Sequence, residues 1–102
     1  MSDKSQINDA SLSDDFLLSG MVSFSNAEKI LGRGNELIEQ SSVPCHVDLQ
    51  AVGHANSLTV ALLMGWYRHA NLNGKSIFFQ NLSHELRNII EFSGLDSVIV
   101  DH

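Results

Sequence analysis

The stretch Val47-Asp48-Leu49-Gln50-Ala51-Val52-Gly53-His54-Ala55-Asn56-Ser57-Leu58-Thr59-Val60-Ala61-Leu62-Leu63 changes character in its middle. Up to Leu49, apolar side chains alternate with others: Val43, Cys45, Val47 and Leu49 against Pro44, His46 and Asp48. That alternation lays one side of a strand on a core. Pro44 stands near the start of the strand, where its missing N–H does least harm. A loop follows over residues 51–56, and Ser57 then opens a nearly all-apolar helix that runs to about Asn71, with Asn73-Gly74 as its exit. Strand, short loop and helix in this order are most of a βαβ unit.

Downstream, Lys75 to Gln80, with Ile77, Phe78 and Phe79, reads as a short buried strand. Ser83 is placed to cap a third helix, whose Leu86, Ile89, Ile90 and Ser93 share a face before Gly94 ends it. Val98-Ile99-Val100 reads as a last strand or an apolar tail. Upstream, Ala27, Ile30, Leu31, Gly34, Leu37 and Ile38 fall at helical spacing, which predicts a helix from Ser25 to about Gln40. Ser25 and Glu28 have capping-box spacing. Gly34 on the apolar face costs ~1 kcal/mol of helix propensity against Ala, and the expected return is close approach of this helix to a sheet. Before it, Phe16-Leu17-Leu18, then Ser19-Gly20, then Met21, Val22 and Phe24 read as two short strands joined by a tight glycine turn.

Residues 1–13 mix Ser, Asp, Asn, Gln and Lys with few apolar side chains and are expected to form a flexible leader, leaving 14–102 as one domain. Strands alternating with helices make the fold class α/β: a mixed sheet of about four to five strands with three or more helices packed on it and right-handed crossovers.

The composition is that of an ordinary globular domain, with 43% hydrophobic and 18% charged residues among 102. Six basic against twelve acidic side chains leave a formal charge of −6, which opposes phosphate neutralisation and disfavours nucleic acid or an anionic bilayer as a partner. The one cysteine, Cys45, allows no internal disulfide. Its place in an apolar run marks a buried structural thiol, compatible with a reducing cytoplasm. No apolar run approaches the roughly 20 residues of a membrane span, so any membrane connection is expected to run through a partner.

The helix after Ser57 is apolar on both sides. Val60, Leu63, Met64 and Tyr67 share one face, while Leu58, Ala61, Leu62, Gly65, Trp66 and His69 cover the other. A helix on a sheet needs one face for the core. The second is covered either by the first and third helices or by a partner. Trp is enriched at interface hot spots, and Gly65 beside it would admit a partner backbone, so Leu58, Leu62 and Trp66 are assigned to a docking surface. Ser57 fits three roles that do not exclude one another: a helix cap or first-turn residue, a partner-contacting hydroxyl, and a phosphoacceptor whose phosphate the helix N-terminus would favour.

Catalysis finds little support. Asp48, His54 and Ser57 are the types of a hydrolase triad, but no Gly-x-Ser-x-Gly elbow surrounds Ser57. The five histidines (His46, His54, His69, His84, His102) show no zinc spacing, so no metal is expected. Gly32-Arg33-Gly34 lacks the Lys-Ser/Thr of a phosphate loop. Lys29, Arg33, Arg68, Lys75 and Arg87 are scattered and read as solvated charge.

The opening stretch also resembles the STAS-family pattern, a strand ending in Val-Asp-Leu, a six-residue loop, and Asp-Ser/Thr-Ser/Ala-Gly at the start of a hydrophobic helix. Trp66, Arg68, Ala70, Gly74-Lys75, Phe79-Gln80-Asn81-Leu82 and Leu86 are similar to the MlaB branch of that family, as are Leu18-Ser19-Gly20, Val22, Phe24 and Ala27. The resemblance covers roughly residues 16 to 100. Two departures stand out: Asn56 replaces the usual Asp, and Leu58-Thr59 replace the small residue and Gly.

This resemblance implies a non-enzymatic accessory and regulatory subunit. It would bind and stabilise the cytoplasmic ATPase of a phospholipid-transport ABC transporter that maintains outer-membrane lipid asymmetry. Such a subunit uses no cofactor, lies peripheral to the inner membrane through its complex, and is compatible with a homodimer. Asn56, Ser57 and Thr59 would then contribute hydrogen bonds, and Leu58, Leu62 and Trp66 apolar contact. The alternative is an anti-anti-sigma-type partner-switching regulator, in which Ser57 matches the hydroxyl that a kinase phosphorylates.

Overall fold

The computed structural model describes residues 9–92. Seven elements follow one another: β1 (Ser11–Leu12), β2 (Leu17–Gly20), α1 (Ala27–Gln40), β3 (Cys45–Val52), α2 (Ser57–Leu72), β4 (Ile77–Gln80) and α3 (His84–Phe92). The strands lie side by side in chain order. β1 is antiparallel to β2, and β2, β3 and β4 are mutually parallel. α1 and α2 are therefore the crossover helices of two consecutive βαβ units, and the expected mixed α/β fold is observed.

Period-two alternation sets the two faces of the sheet. Leu12, Leu18, Cys45, Val47, Leu49 and Phe79 are buried toward the helical layer. His46 and Gln50 point the other way and are exposed, and there the His46 ring stacks on Phe78 with centroids 5.2 Å apart. Cys45 is the buried thiol expected of it. No helix among the described residues is long and apolar enough to cross a membrane.

The N-terminal region departs from expectation. Ser11 and Leu12, assigned to the leader, form β1, with Ser11 opposite Ser19 and Leu12 opposite Leu18. The hairpin turn is therefore at residues 13–16, not at Ser19-Gly20. Ser13 N–H donates to Leu17 O, Phe16 N–H donates to Ser13 O, and Phe16 takes a left-handed φ of 62°. A bulky residue rarely adopts that conformation. Phe16 is held there by burial, with its ring edge-on to Trp66 at 5.2 Å. Arg33 of α1 closes the hairpin from the side, pairing with Asp14 and reaching Leu12 O at 3.5 Å. Met21 forms only an isolated bridge to Asp9, so the second expected strand is absent.

α1 begins two residues later than Ser25, because Ser23 to Asn26 form a turn in which Asn26 Oδ1 accepts from Ser23 N–H at 2.9 Å. Ser25 bonds Ser23 Oγ instead of capping, so the expected capping box is not formed. The C-terminus of α1 is capped from a distance. Lys75 Nζ donates to the carbonyls of Ile38 and Glu39 at 3.2 Å each and to that of Ser41, where a cation also suits the helix dipole. α2 ends in a Schellman motif: Lys75 N–H donates to Ala70 O at 2.8 Å and Gly74 N–H to Asn71 O at 3.1 Å, with Gly74 at φ 67°. Ser83 caps α3 as expected, accepting from Leu86 N–H at 3.1 Å. Gly94 and Val98-Ile99-Val100, read as a helix stop and a last strand, lie outside the described residues.

Candidate functional site

The turn from β3 into α2 is tied to β2, to α3 and to the first turn of α2. β3 runs to Val52 and takes in the first two residues of the expected loop, so the connection is only Gly53 to Asn56. Gly53 N–H donates to Gly20 O at 2.8 Å, and Ala55 N–H donates to Glu85 Oε1 at 3.1 Å. Asn56 is the N-cap of α2. Its Oδ1 accepts from Thr59 N–H at 3.0 Å, while Thr59 Oγ1 accepts from Asn56 N–H at 3.3 Å, a reciprocal capping box. Asn56 Nδ2 also donates to Val22 O at 3.0 Å.

Both departures from the STAS pattern thus work together here. An Asp at position 56 has no donor for Val22 O, and a Gly at position 59 has no hydroxyl for the box. Neither departure was read as a cap in the sequence, although Asn followed three residues later by Thr carries that signal.

The six residues assigned to docking separate into two groups. Ser57 is exposed at the first position of α2, its hydroxyl without a hydrogen-bond partner among the described residues, and Leu58 is half-buried. Asn56 is half-buried with its side chain committed to Thr59 and Val22. Thr59 and Trp66 are 0% exposed and Leu62 is 3% exposed, so these three cannot meet a partner surface as the chain stands.

The physical reason is α1. Its Gly34 lies directly against the Trp66 indole, and Trp66 Nε1 donates to Leu31 O at 3.1 Å. Gly65, read as a gap for a partner backbone, instead faces Leu31: a Cβ there would lie 2.7 Å from Leu31 Cδ1. The second apolar face of α2 is covered within the domain. Gly34 makes its close approach to a helix and not to the sheet.

What remains open to solvent is a rim. Ala27, Glu28 and Leu31 of α1 face Leu58, Ala61 and Leu62 of α2 across an apolar groove of about 270 Å³. On the other side of α2, Ser57 shares a shallow crevice with Asn88, Ile89 and Phe92 of α3. Phe92 is 96% exposed, and Phe24, after β2, is similarly bare. The sequence reading places Ala61 on the second face of α2 without assigning it to docking, and it does not single out Phe92. Ala61 is small enough to carry no signal, and Phe92 is the one aromatic on an otherwise polar flank of α3.

The three residues of the imagined triad do not meet. Asp48 Oδ1 accepts from Gln50 N–H and from Asn81 Nδ2, each at 3.0 Å. The Asn81 bond first and the Gln50 bond second hold its carboxyl below the ordinary value, against a small opposing effect of burial. His54 and Ser57 are both exposed, and no hydrogen bond links either of them to Asp48 or to each other. Among the described residues no cluster of His, Cys, Asp or Glu is arranged to hold a metal.

A short mixed sheet under one helical layer, with an exposed hydroxyl at the start of the helix that follows its central parallel strand, defines a STAS-type domain. The family model described as "Mlab, STAS domain" matches residues 10–101, and the chain belongs to that family. Among solved structures it is similar to a chain of the Acinetobacter MlaFEDB complex in its ATP-bound Vtrans2 conformation. The identity is 31% over 81% of this chain and 90% of that one, with a TM-score of 0.71. No curated protein matches the chain.

Proposed function

We propose that this domain is a non-enzymatic accessory subunit that binds and stabilises the cytoplasmic ATPase of a phospholipid-transport ABC transporter. The observation that carries the reading is its likeness, over 81% of this chain and 90% of the other, to a component of the ATP-bound MlaFEDB assembly. The reading places it on the cytoplasmic side of the inner membrane, held there by the complex. Its contribution to lipid asymmetry is then indirect, through the state of the ATPase.

The exposed rim supplies the docking surface: Ser57, Leu58 and Ala61 on α2, flanked by Ala27 of α1 and Phe92 of α3. Interface cores of this kind join a few apolar anchors to a polar margin. Thr59, Leu62 and Trp66 support that surface from inside. Affinity purification of the full chain beside an Ala61→Arg variant tests the reading. An ABC ATPase is expected with the wild type and not with the variant, whose melting should be unchanged because Ala61 is exposed. An ATPase retained by Ala61→Arg removes the surface, and a kinase recovered in place of the ATPase removes the role.

The exposed, unbonded hydroxyl of Ser57 favours a second reading, the anti-anti-sigma-type partner switch. Incubation with the recovered kinase and ATP, followed by intact-mass measurement, separates the two. A single phosphate that disappears in Ser57→Ala supports the switch, and an unmodified chain that still binds the ATPase excludes it.

A further inference from the structure

The proposed docking surface is composite. Ser57 and Leu58 belong to α2, whereas Asn88 and Phe92 belong to α3, and the two helices meet beside the Gly53–Asn56 turn. On its β2 side that turn is fixed twice, by Gly53 N–H to Gly20 O and by Asn56 Nδ2 to Val22 O. On its α3 side the tie is a carboxylate. Glu85, in the first turn of α3, accepts from the Ala55 N–H at 3.1 Å, thirty positions away in sequence.

Ala55 is 8% exposed, and its N–H would lose its one acceptor among the described residues if Glu85 withdrew. The residue two places on is Ser57.

We propose that Glu85 is a positioning residue for partner docking: its carboxylate locks the β3–α2 turn to α3, so that Ser57 and Phe92 present one continuous surface. This rests on the docking reading above. Glu85 need not touch the partner. It acts through the Ala55 amide, and a neutral acceptor of the same length at position 85 should serve nearly as well.

The test uses the full chain as wild type, Glu85→Ala and Glu85→Gln. Amide hydrogen exchange is read on the free protein, and affinity is measured for the ATPase that co-purifies with wild type. Glu85→Ala is expected to speed exchange at Ala55 about tenfold, the factor that one lost charge-assisted hydrogen bond carries, with Leu63 in the middle of α2 and Ile90 in the last turn of α3 unchanged. Glu85→Gln should restore most of that protection, since its amide oxygen still accepts. Affinity should follow the same order, falling about tenfold in Glu85→Ala and under about threefold in Glu85→Gln.

Unchanged exchange at Ala55 in Glu85→Ala, failure of glutamine to rescue, or faster exchange with unaltered affinity each overturns the proposal. Should wild type capture no ATPase, the docking reading fails and the positioning role falls with it. Exchange at Ala55 then still reports whether the lock itself exists.

Discussion

The Trp66 indole fills the notch that Gly34 leaves in α1. A Cβ added at Gly34 would lie 2.6 Å from Trp66 Cζ2 and nearer still to two other ring atoms, while Nε1 of the same ring is anchored on Leu31 O. The ring cannot retreat toward the sheet, because Phe16 stands edge-on to it at 5.2 Å. Gly34→Ala should therefore destabilise the domain by about 2 kcal/mol, overpacking outweighing the gain in helix propensity. Gly32→Ala, in the same helix with open space around the added methyl, should stabilise it by about 0.5–1 kcal/mol. Urea unfolding followed by circular dichroism reads both signs, and equal effects would refute the close-packed seam.

Trp66→Ala should cost about 3–5 kcal/mol, the range for emptying a fully buried aromatic site. Any ATPase lost by that variant would follow from unfolding, not from a missing contact. Melting curves recorded before the binding assay decide between these, and a folded Trp66→Ala with wild-type melting would contradict the burial.

Asn56→Asp keeps the cap on Thr59 N–H but exchanges a donor for a carboxylate against Val22 O. A loss of about 1–2 kcal/mol is expected. Ser57→Ala, which removes an exposed and unbonded hydroxyl, should stay within about 0.5 kcal/mol. Chemical denaturation of the two variants side by side checks the contrast. A stabilised Asn56→Asp would mean that the Val22 bond does not form.

Asp48 ties β3 to the residue that follows β4, and its carboxyl is held below the ordinary 3.8 chiefly by the Asn81 side chain. A depressed acid stabilises the fold above its unfolded pKa, and that contribution disappears as pH falls through the lower, folded value. A carboxyl NMR titration should place the Asp48 midpoint below 3.8 in the wild type and move it upward in Asn81→Ala. A midpoint that does not respond to Asn81→Ala would remove the bond as its cause.

The parts of the fold that follow from local pattern were legible. The alternation read over Val43 to Leu49 becomes β3 from Cys45 onward, with Val43 and Pro44 left exposed ahead of the strand, Asn73-Gly74 ends α2, and Ser83 caps α3. What failed depended on partners distant in sequence. Ser25 and Glu28 had the spacing of a cap, but Asn26 bonds the backbone of Ser23 and moves the start of α1. Ser19-Gly20 read as a turn, although Gly20 ends a strand and the real turn carries Phe16 at a positive φ. Only contact with Trp66 and burial under the core explain that conformation, and neither is visible locally.

The candidate surface was half legible for the same reason. Ser57 and Leu58 remain at the rim, as the start of an apolar helix suggested. Leu62 and Trp66 gave an equally apolar signal and went inside, because the notch at Gly34 lets α1 lie on them. A glycine on an apolar helix face announces a close neighbour without saying which one.

Trp66 is also the chain's one tryptophan, sealed between α1, α2 and Phe16. Its fluorescence is therefore a built-in gauge of the helix seam, blue and shielded while α1 stays in place. A partner that settles on the outer rim should leave that emission unmoved, whereas one that pries α1 from α2 should shift it to the red. The spectrum of the unlabelled complex would tell rigid docking from remodelling without a further substitution.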